Sequence, residues 1–233
     1  MPSKFVQYDR YERHRAVSLL LPETEGRPVL DIGGVKGLLA SHLSAATVST
    51  LNVDRTGDVQ YGGRAIPFVT QAFHAVVSLD TMEHMPREQR LEFLAECIRV
   101  SQQTVLIAAP LGTSGHAAYE AKLDALHKQA YGQYHQMLHE HILYGLPTIE
   151  DLNSWREFFD DRGFSSQVRY AGNYEWQCRN MERSLRLVQR LGTPGKFAAL
   201  LNLVTSLAIW YPVVLSEQCT KSSNRFYLLA ERR

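Results

Sequence analysis

The sequence has almost no net charge, few cysteines and no signal-peptide core at its start. Its 233 residues include 25 Lys and Arg against 24 Asp and Glu, a formal net charge of +1. The sequence therefore lacks the excess of positive charge that is typical of a nucleic-acid binder. The three cysteines, Cys97, Cys178 and Cys219, are far apart and odd in number, which favours reduced thiols over disulfides or a metal site. With a charged N-terminal segment that lacks an apolar core, these absences favour a cytoplasmic protein that does not bind nucleic acid.

The sequence also lacks an uninterrupted apolar run long enough to span a membrane. Its most apolar stretch, residues 197–215, is interrupted by polar residues and broken by Pro212, whereas a span needs about twenty mainly apolar residues. We predict no transmembrane segment. Residues 173–223 are interpreted as a helical insertion that covers a sheet edge, forms a homodimer interface or lines an apolar pocket. Trp210 and Tyr211 leave peripheral membrane contact as a further alternative.

The most informative stretch is residues 29–37, which read Val-Leu-Asp-Ile-Gly-Gly-Val-Lys-Gly. The pattern predicts a buried strand, a glycine-rich turn and a helix beginning near Lys36. Glycine lets a ligand approach the backbone closely because it has no Cβ. The dinucleotide-binding fingerprint needs glycines at i, i+2 and i+5, but these places hold Gly33, Val35 and Leu38. The fingerprint is therefore absent.

This stretch instead resembles motif I of the class I S-adenosylmethionine (SAM)-dependent methyltransferases, which is an acid followed by alternating glycines. The residues that carry the resemblance are Asp31, Gly33, Gly34 and Gly37. The resemblance implies that these residues bind SAM, with Asp31 suited to its ammonium and sulfonium groups. Val35 stands where the family has its middle glycine, which implies a tighter or shifted loop.

A second acid follows about twenty residues after the glycine loop. Asp54 comes after an apolar segment at residues 48–53, where an acid can accept hydrogen bonds from ribose hydroxyls. We expect Asp54 and the adjacent Arg55 to contact the cofactor. The alternative is that Asp54 begins a turn with Thr56 and Gly57, since Asp is common in turns.

Residues 62–86 extend the resemblance to many small-molecule methyltransferases, which carry Leu-Pro-Phe followed by a strand and Leu-Glu-His-x-Pro. Gly62 stands where such proteins often have an adenine-binding Asp. The resemblance therefore implies that backbone groups at Gly63, Arg64 and Ala65 bind the adenine. Leu79 and Asp80 end the fourth strand, at the edge of an open α/β sheet where ligands bind, and are expected to complete the cofactor site.

Strands alternate with helices along the chain, which is typical of a parallel sheet covered on both faces. With the resemblance, this predicts one α/β domain over residues 1–233. We expect a Rossmann-like, seven-stranded, mostly parallel sheet with helical insertions after strands five and six. The expected helices cover residues 8–21, 36–43, 87–99 and 148–162, and residues 1–27 hold the N-terminal one. The expected strands cover 28–32, 48–53, 66–69, 76–79, 104–108, 166–170 and 225–230.

The segment after strand five, residues 111–147, holds five of the nine histidines. We interpret it as a cap over the acceptor site, because binding residues concentrate on segments carried by a rigid scaffold. The alternative is a polar helical cap without a catalytic role. If the acceptor needs a base, the candidates are His84, His116, Glu120 and His141. Asp80, Glu83 and His84 resemble the acids and histidines that hold a divalent ion in metal-dependent members of this superfamily. We nevertheless predict no metal site, because adjacent residues such as Glu83 and His84 do not share a helix face.

The function implied by the resemblance is methyl transfer from SAM to an O, N or C atom of a small or medium-sized molecule. One alternative is a SAM-binding, methyltransferase-like protein that has lost catalysis, which the departures at Val35 and Gly62 favour. The other is a different Rossmann-type enzyme with a nucleotide cofactor, which the failed glycine fingerprint disfavours.

Overall fold

A seven-stranded sheet forms the centre of the protein. A computed structural model describes residues 8–21, 23–43, 46–191 and 212–233. The sheet order is β3-β2-β1-β4-β5-β7-β6, and β7 runs in the opposite direction to the other six strands. The expected Rossmann-like, mostly parallel sheet is confirmed. The strands are β1 Pro28–Ile32, β2 Thr47–Asn52, β3 Val59–Gln60, β4 Phe73–Leu79, β5 Ser101–Pro110, β6 Phe164–Ala171 and β7 Arg225–Arg232.

Six α-helices accompany the sheet in the described part of the chain: α1 Tyr8–Leu20, α2 Arg90–Val100, α3 Ser114–Tyr131, α4 Gln136–Tyr144, α5 Ile149–Asp160 and α6 Tyr174–Leu191. Helices α2 and α5 contribute Leu94, Trp155 and Phe159 to the core on one face of the sheet. Helix α1 contributes Ala16 and Val17 to the core on the other face. Helices therefore cover both faces of the sheet, as expected.

The helices after β5 and β6 pack against one another and form a third apolar cluster, which includes Leu123, Leu138, Tyr174, Cys178 and Leu185. We call helices α3, α4 and α6 the cap. The expected helical insertions are confirmed at residues 111–147 and in the first part of 173–223. Residues 192–211, which hold most of the expected apolar helix, lie outside the described residues. No helix in the described ranges is long and apolar enough to cross a membrane.

Two expected elements are wrong. Residues 66–69 are not a strand: Ile66 is buried in a loop whose backbone binds Glu96 and Arg99 of α2, and the third strand lies at Val59–Gln60 instead. The expected helix at residues 36–43 is only a 3-10 turn at Leu39–Ser41. The expected helix is interrupted at Gly37, because its φ of 78° is left-handed and cannot continue a right-handed helix.

Helix α2 buries only part of the apolar pattern in its sequence. The apolar residues that recur at helical spacing are Leu91, Leu94, Ala95 and Ile98. Leu91 is 45% exposed, whereas Leu94 is 0% exposed. The inward face is formed by Phe93, Leu94, Cys97 and Val100. The helical period was predicted correctly, but its phase depends on where the helix meets the sheet.

The two leucines of α2 provide a matched test of this packing. We expect Leu94→Ala to lower the free energy of unfolding by about 2–5 kcal/mol, because it leaves a cavity in the core. Leu91→Ala should change it by less than about 1 kcal/mol, because the side chain is already half exposed. Urea unfolding of both variants measures the difference. Equal losses would contradict the buried face described here.

Candidate functional site

A cavity of about 340 Å³ opens between the carboxyl edge of the sheet, α1 and the cap. Ligands of open α/β sheets bind at this edge, where the strand order reverses, and here the reversal lies between β1 and β4. The cavity includes nine residues predicted from the sequence. Five are cofactor candidates and four are catalytic candidates: Asp31, Gly33, Gly34, Leu79, Asp80, His84, His116, Glu120 and His141.

The glycine loop holds a buried carboxylate at the floor of the cavity. Asp31 is 1% exposed, and neither of its carboxylate oxygens has a hydrogen-bond partner among the described residues. Burial raises the pKa of Asp31 to about 7, because a desolvated carboxylate is costly to ionise. A Cβ at position 34 would overlap this carboxylate, so Gly34 leaves the room that Asp31 occupies. A cationic ligand would supply the missing partner.

The other predicted cofactor residues lie outside the cavity lining. These are Gly37, Asp54, Arg55, Gly63, Arg64 and Ala65, all of which are exposed. The Asp54 carboxylate accepts hydrogen bonds from the amide and hydroxyl of Thr56, at 2.8 and 2.5 Å, so the turn that was the alternative does form. The loops that carry Asp54 and Gly63 are neighbours, since a Cβ at Gly63 would lie 3.5 Å from Val53. Their role in binding the cofactor stays a prediction.

Asp80 is bound within the protein by two arginines. Its carboxylate forms ion pairs with Arg13 of α1 and Arg225 of β7, and Asp9 lies 3.5 Å from Arg225. Asp80 has a φ of 52°, a strained conformation for this residue that costs about 1–3 kcal/mol. Neither arginine, nor Asp9, was predicted from the sequence as a site residue. Arg225 could have been suspected, because a charged residue that begins an antiparallel strand lies at the carboxyl edge of its parallel neighbours.

The cap places histidines and carboxylates together above the sheet. His84 Nδ1 lies 2.7 Å from Glu140, and His141 Nδ1 lies 3.0 Å from Glu120. The rings of His84 and His141 are 4.8 Å apart. His116 donates from Nδ1 to the Leu111 carbonyl at 2.9 Å and faces Glu120 with Nε2 at 3.5 Å. The four catalytic candidates, which come from separate parts of the chain, therefore form one cluster.

The two most buried carboxylates of the cluster differ in pKa. Burial opposes ionisation of Glu120, but hydrogen bonds from His116 and His141 lower its pKa to about 2. Burial raises the pKa of Glu83 to about 7, although the nearby His141 works in the opposite direction. Glu83 is 1% exposed, and neither of its carboxylate oxygens has a hydrogen-bond partner in the described part of the chain. His141 Nε2 is likewise buried without a partner there.

Contrary to the expectation from the sequence, Glu83 and His84 bring ligand atoms to the same place. They lie in a 3-10 turn, Met82–His84, rather than on a regular helix. One ligand atom each from Glu83, His84 and His141 lies within 4.8 Å of the others. The sequence could not reveal this group, because His141 is 57 positions after His84 and the fold alone brings it close.

Solved structures share this architecture from end to end. A candidate sarcosine dimethylglycine methyltransferase from Galdieria sulphuraria is 15% identical with a TM-score of 0.57, over 95% of this chain and 85% of that one. A SAM-dependent methyltransferase from Archaeoglobus fulgidus is 14% identical with a TM-score of 0.56, over 96% and 94%. The chain has the class I methyltransferase fold. The resemblance inferred from the sequence is thus confirmed at the level of the fold.

A third structure with this fold holds the demethylated cofactor. Phosphoethanolamine N-methyltransferase 2 from Haemonchus contortus, in complex with S-adenosylhomocysteine, is 15% identical with a TM-score of 0.53. The match covers 96% of this chain but 52% of that one. No protein-family model matches the chain, and no curated protein matches it in sequence. The fold is therefore shared at identities that leave the activity to be argued from the site.

The raised pKa of Asp31 predicts a pH-dependent stability. A carboxyl group with a folded-state pKa near 7 and an unfolded-state value of 3.8 binds its proton more tightly in the folded protein. Its contribution is fully present below pH 3.8 and is lost as the pH rises through about 7. Asp31→Asn should therefore be more stable than the natural protein at pH 8, by up to about 4 kcal/mol.

The measurement is the difference in urea-unfolding free energy between Asp31→Asn and the natural protein, taken from pH 4 to pH 8. The exposed Asp54→Asn is the control, and its difference should stay flat over this range because the pKa of Asp54 is lowered by Thr56. A flat difference for Asp31→Asn would contradict the raised pKa.

Proposed function

We propose that the protein transfers a methyl group from SAM to a small or medium-sized molecule. One observation carries the proposal: an unpartnered buried carboxylate on the glycine loop and a histidine–carboxylate cluster share one cavity. The first is suited to a cationic cofactor, and the second is suited to a polar acceptor. The confirmed fold supports the combination, because its sheet opens a crevice at this edge.

The residues at the glycine loop fit SAM. Its ammonium and sulfonium groups would balance the charge of Asp31, which burial otherwise disfavours. Binding of a cation would also shift Asp31 toward its ionised form. SAM supplies an electrophilic methyl group, so the protein mainly has to orient the acceptor and exclude water. The adenosine would extend over the exposed loops that carry Asp54 and residues 63–65.

The cluster can accept a proton from the acceptor. Because a carboxylate can only accept from a ring nitrogen, Nδ1 of His141 carries the hydrogen toward Glu120. In the neutral ring, Nε2 then presents its lone pair. The unpartnered Nε2 lies in a residue that lines the cavity, so His141 has the geometry of a general base for a hydroxyl or ammonium acceptor. His84, paired in the same way with Glu140, is the second candidate. Glu120 and His116 orient His141.

A second candidate function is SAM binding without catalysis. The observation that favours it is Val35, which replaces the middle glycine of motif I and lines the cavity with a side chain 46% exposed. A β-branched side chain at that place takes room from the cofactor. Binding and transfer must therefore be measured separately.

Cofactor binding is tested by calorimetry with SAM, S-adenosylhomocysteine and NAD. We expect the first two to bind and NAD not to bind. Asp31→Ala should weaken SAM at least tenfold, about 1.4 kcal/mol, because it removes the charge that faces the cofactor. His116→Ala, on the cap side of the same cavity, should leave SAM affinity within a few-fold. Unchanged SAM affinity in a folded Asp31→Ala would contradict the proposed cofactor site.

Transfer is tested with SAM labelled in its methyl group and a small-molecule extract of cells. We expect label to appear in a small molecule, and His141→Ala to lower the rate by about 10²–10⁴, as for loss of a general base. His139→Ala is the matched control, because His139 lies on the same helix but pairs with Asp124 instead. SAM binding without transfer to any extract would favour the catalytically inactive alternative.

A further inference from the structure

We propose that Glu83, His84 and His141 form a binding site for a divalent transition-metal ion at the acceptor end of the cavity. The ligand atoms of the three side chains lie within 4.8 Å of one another. All belong to residues that line the cavity. Metal binding would not require the cofactor, so the proposal stands apart from the proposed function.

The first argument is the set of polar atoms that lack partners. Both carboxylate oxygens of Glu83 and Nε2 of His141 are buried without a hydrogen-bond partner among the described residues. Leaving such groups unpaired is costly, and buried charges in proteins are normally paired or bound to a metal. One cation at the centre of the three ligands would satisfy these atoms together.

The second argument is the pair of carboxylates behind the histidines. Histidines that bind metals usually donate their other ring N–H to a carboxylate or carbonyl, which fixes the tautomer and the ring orientation. Here Glu140 accepts from Nδ1 of His84 at 2.7 Å, and Glu120 accepts from Nδ1 of His141 at 3.0 Å. Both rings are thereby held with Nε2 as the available ligand atom.

These supporting carboxylates are themselves held in place. Glu120 is also contacted by His116 Nε2 at 3.5 Å, and Glu140 accepts from Gln136 at 3.2 Å. Each contact comes from a residue one helical turn away on the same helix. The outer layer is thus built by α3 and α4, whose positions are set by the apolar core of the cap.

Arg90 is the nearby cation that could instead compensate Glu83, since its charge acts on the Glu83 carboxyl. Its guanidinium, however, donates to the carbonyls of Tyr144 and Gly145 at 3.1 and 2.5 Å. It also lies 4.0 Å from Asp151. No ion pair joins it to Glu83 in the described structure. The arginine therefore holds the end of α4 and forms no ion pair with Glu83, although its charge is felt there.

The donor set indicates the kind of ion. Two imidazole nitrogens and one carboxylate match catalytic zinc sites and the facial triad of non-haem iron, both of which leave positions open. Mg²⁺ and Ca²⁺ prefer oxygen ligands. Zinc ligands lie about 2.0–2.2 Å from the ion, so binding requires the three side chains to move inward. The open positions would face the cavity.

With its Nε2 bound to the ion, His141 would not act as the general base. The ion would instead lower the pKa of an acceptor hydroxyl and hold it beside the methyl group. This use of the ion rests on the proposed function, whereas metal binding does not. Failure of SAM binding would therefore leave the metal site in place, and failure of metal binding would leave the cofactor site in place.

The test uses the untagged full-length protein, treated with a chelator and then titrated by calorimetry with ZnCl₂, CoCl₂ or MgCl₂. We expect one Zn²⁺ per chain, a Co²⁺ complex with the visible absorption of four or five ligands, and no binding of Mg²⁺. Glu83→Gln and His141→Ala should each weaken Zn²⁺ at least a hundredfold. Glu140→Gln should weaken it about 10–100-fold, as for loss of an outer-layer partner.

His139→Ala is the matched control and should bind Zn²⁺ like the natural protein, because His139 is paired with Asp124 away from the site. Unfolding curves confirm that each variant is folded, and Glu140→Gln keeps the test valid if a ligand variant fails to fold. The proposal is overturned if Zn²⁺ does not bind stoichiometrically. It is also overturned if the folded ligand variants bind as tightly as His139→Ala, which would mean that surface histidines hold the ion.

Discussion

The cost of burying a carboxylate without a partner governs the arrangement at the carboxyl edge of the sheet. Asp31 and Glu83 both lie there, almost fully desolvated, and neither meets a hydrogen-bond donor among the described residues. Burial raises the pKa of each to about 7. The described residues give these carboxylates no hydrogen bond, because β1 and β4 end at a crevice. Cationic ligands would compensate them, an organic cation at Asp31 and a metal ion at Glu83.

A third carboxylate at the same edge, that of Asp80, is compensated within the chain. Asp80 keeps a strained, left-handed backbone conformation, and its side chain pairs with Arg13 and Arg225. These ion pairs link α1, β4 and β7 around the mouth of the cavity. Three of the carboxylates in this crevice therefore differ. Asp80 is paired with arginines, whereas Asp31 and Glu83 have no hydrogen-bond partner among the described residues. That contrast is why we propose Asp31 and Glu83, rather than Asp80, as groups that bind cationic ligands.

The cap covers part of this edge of the sheet and forms one side of the cavity. Its helices have their own apolar core, so they can hold polar side chains in fixed positions over the crevice. Helix α3 supplies His116 and Glu120, and helix α4 supplies Glu140 and His141. Because the supporting contacts are one helical turn apart, the regular geometry of each helix orients the histidines before any ligand binds. The same insertion can thus serve an acceptor and a metal ion.

The sequence by itself determined the alternation of strands and helices, the glycine loop with Asp31, and the cap with its histidines, because these depend on local patterns along the chain. It could not determine the phase of α2, the loop that replaces residues 66–69 of the expected strand, or the 3-10 turn after Gly37. Only the tertiary structure decided that Arg225 meets Asp80 and that His141 meets Glu83. Such contacts join residues far apart in the chain, and the packing of the cap against the sheet sets their distances.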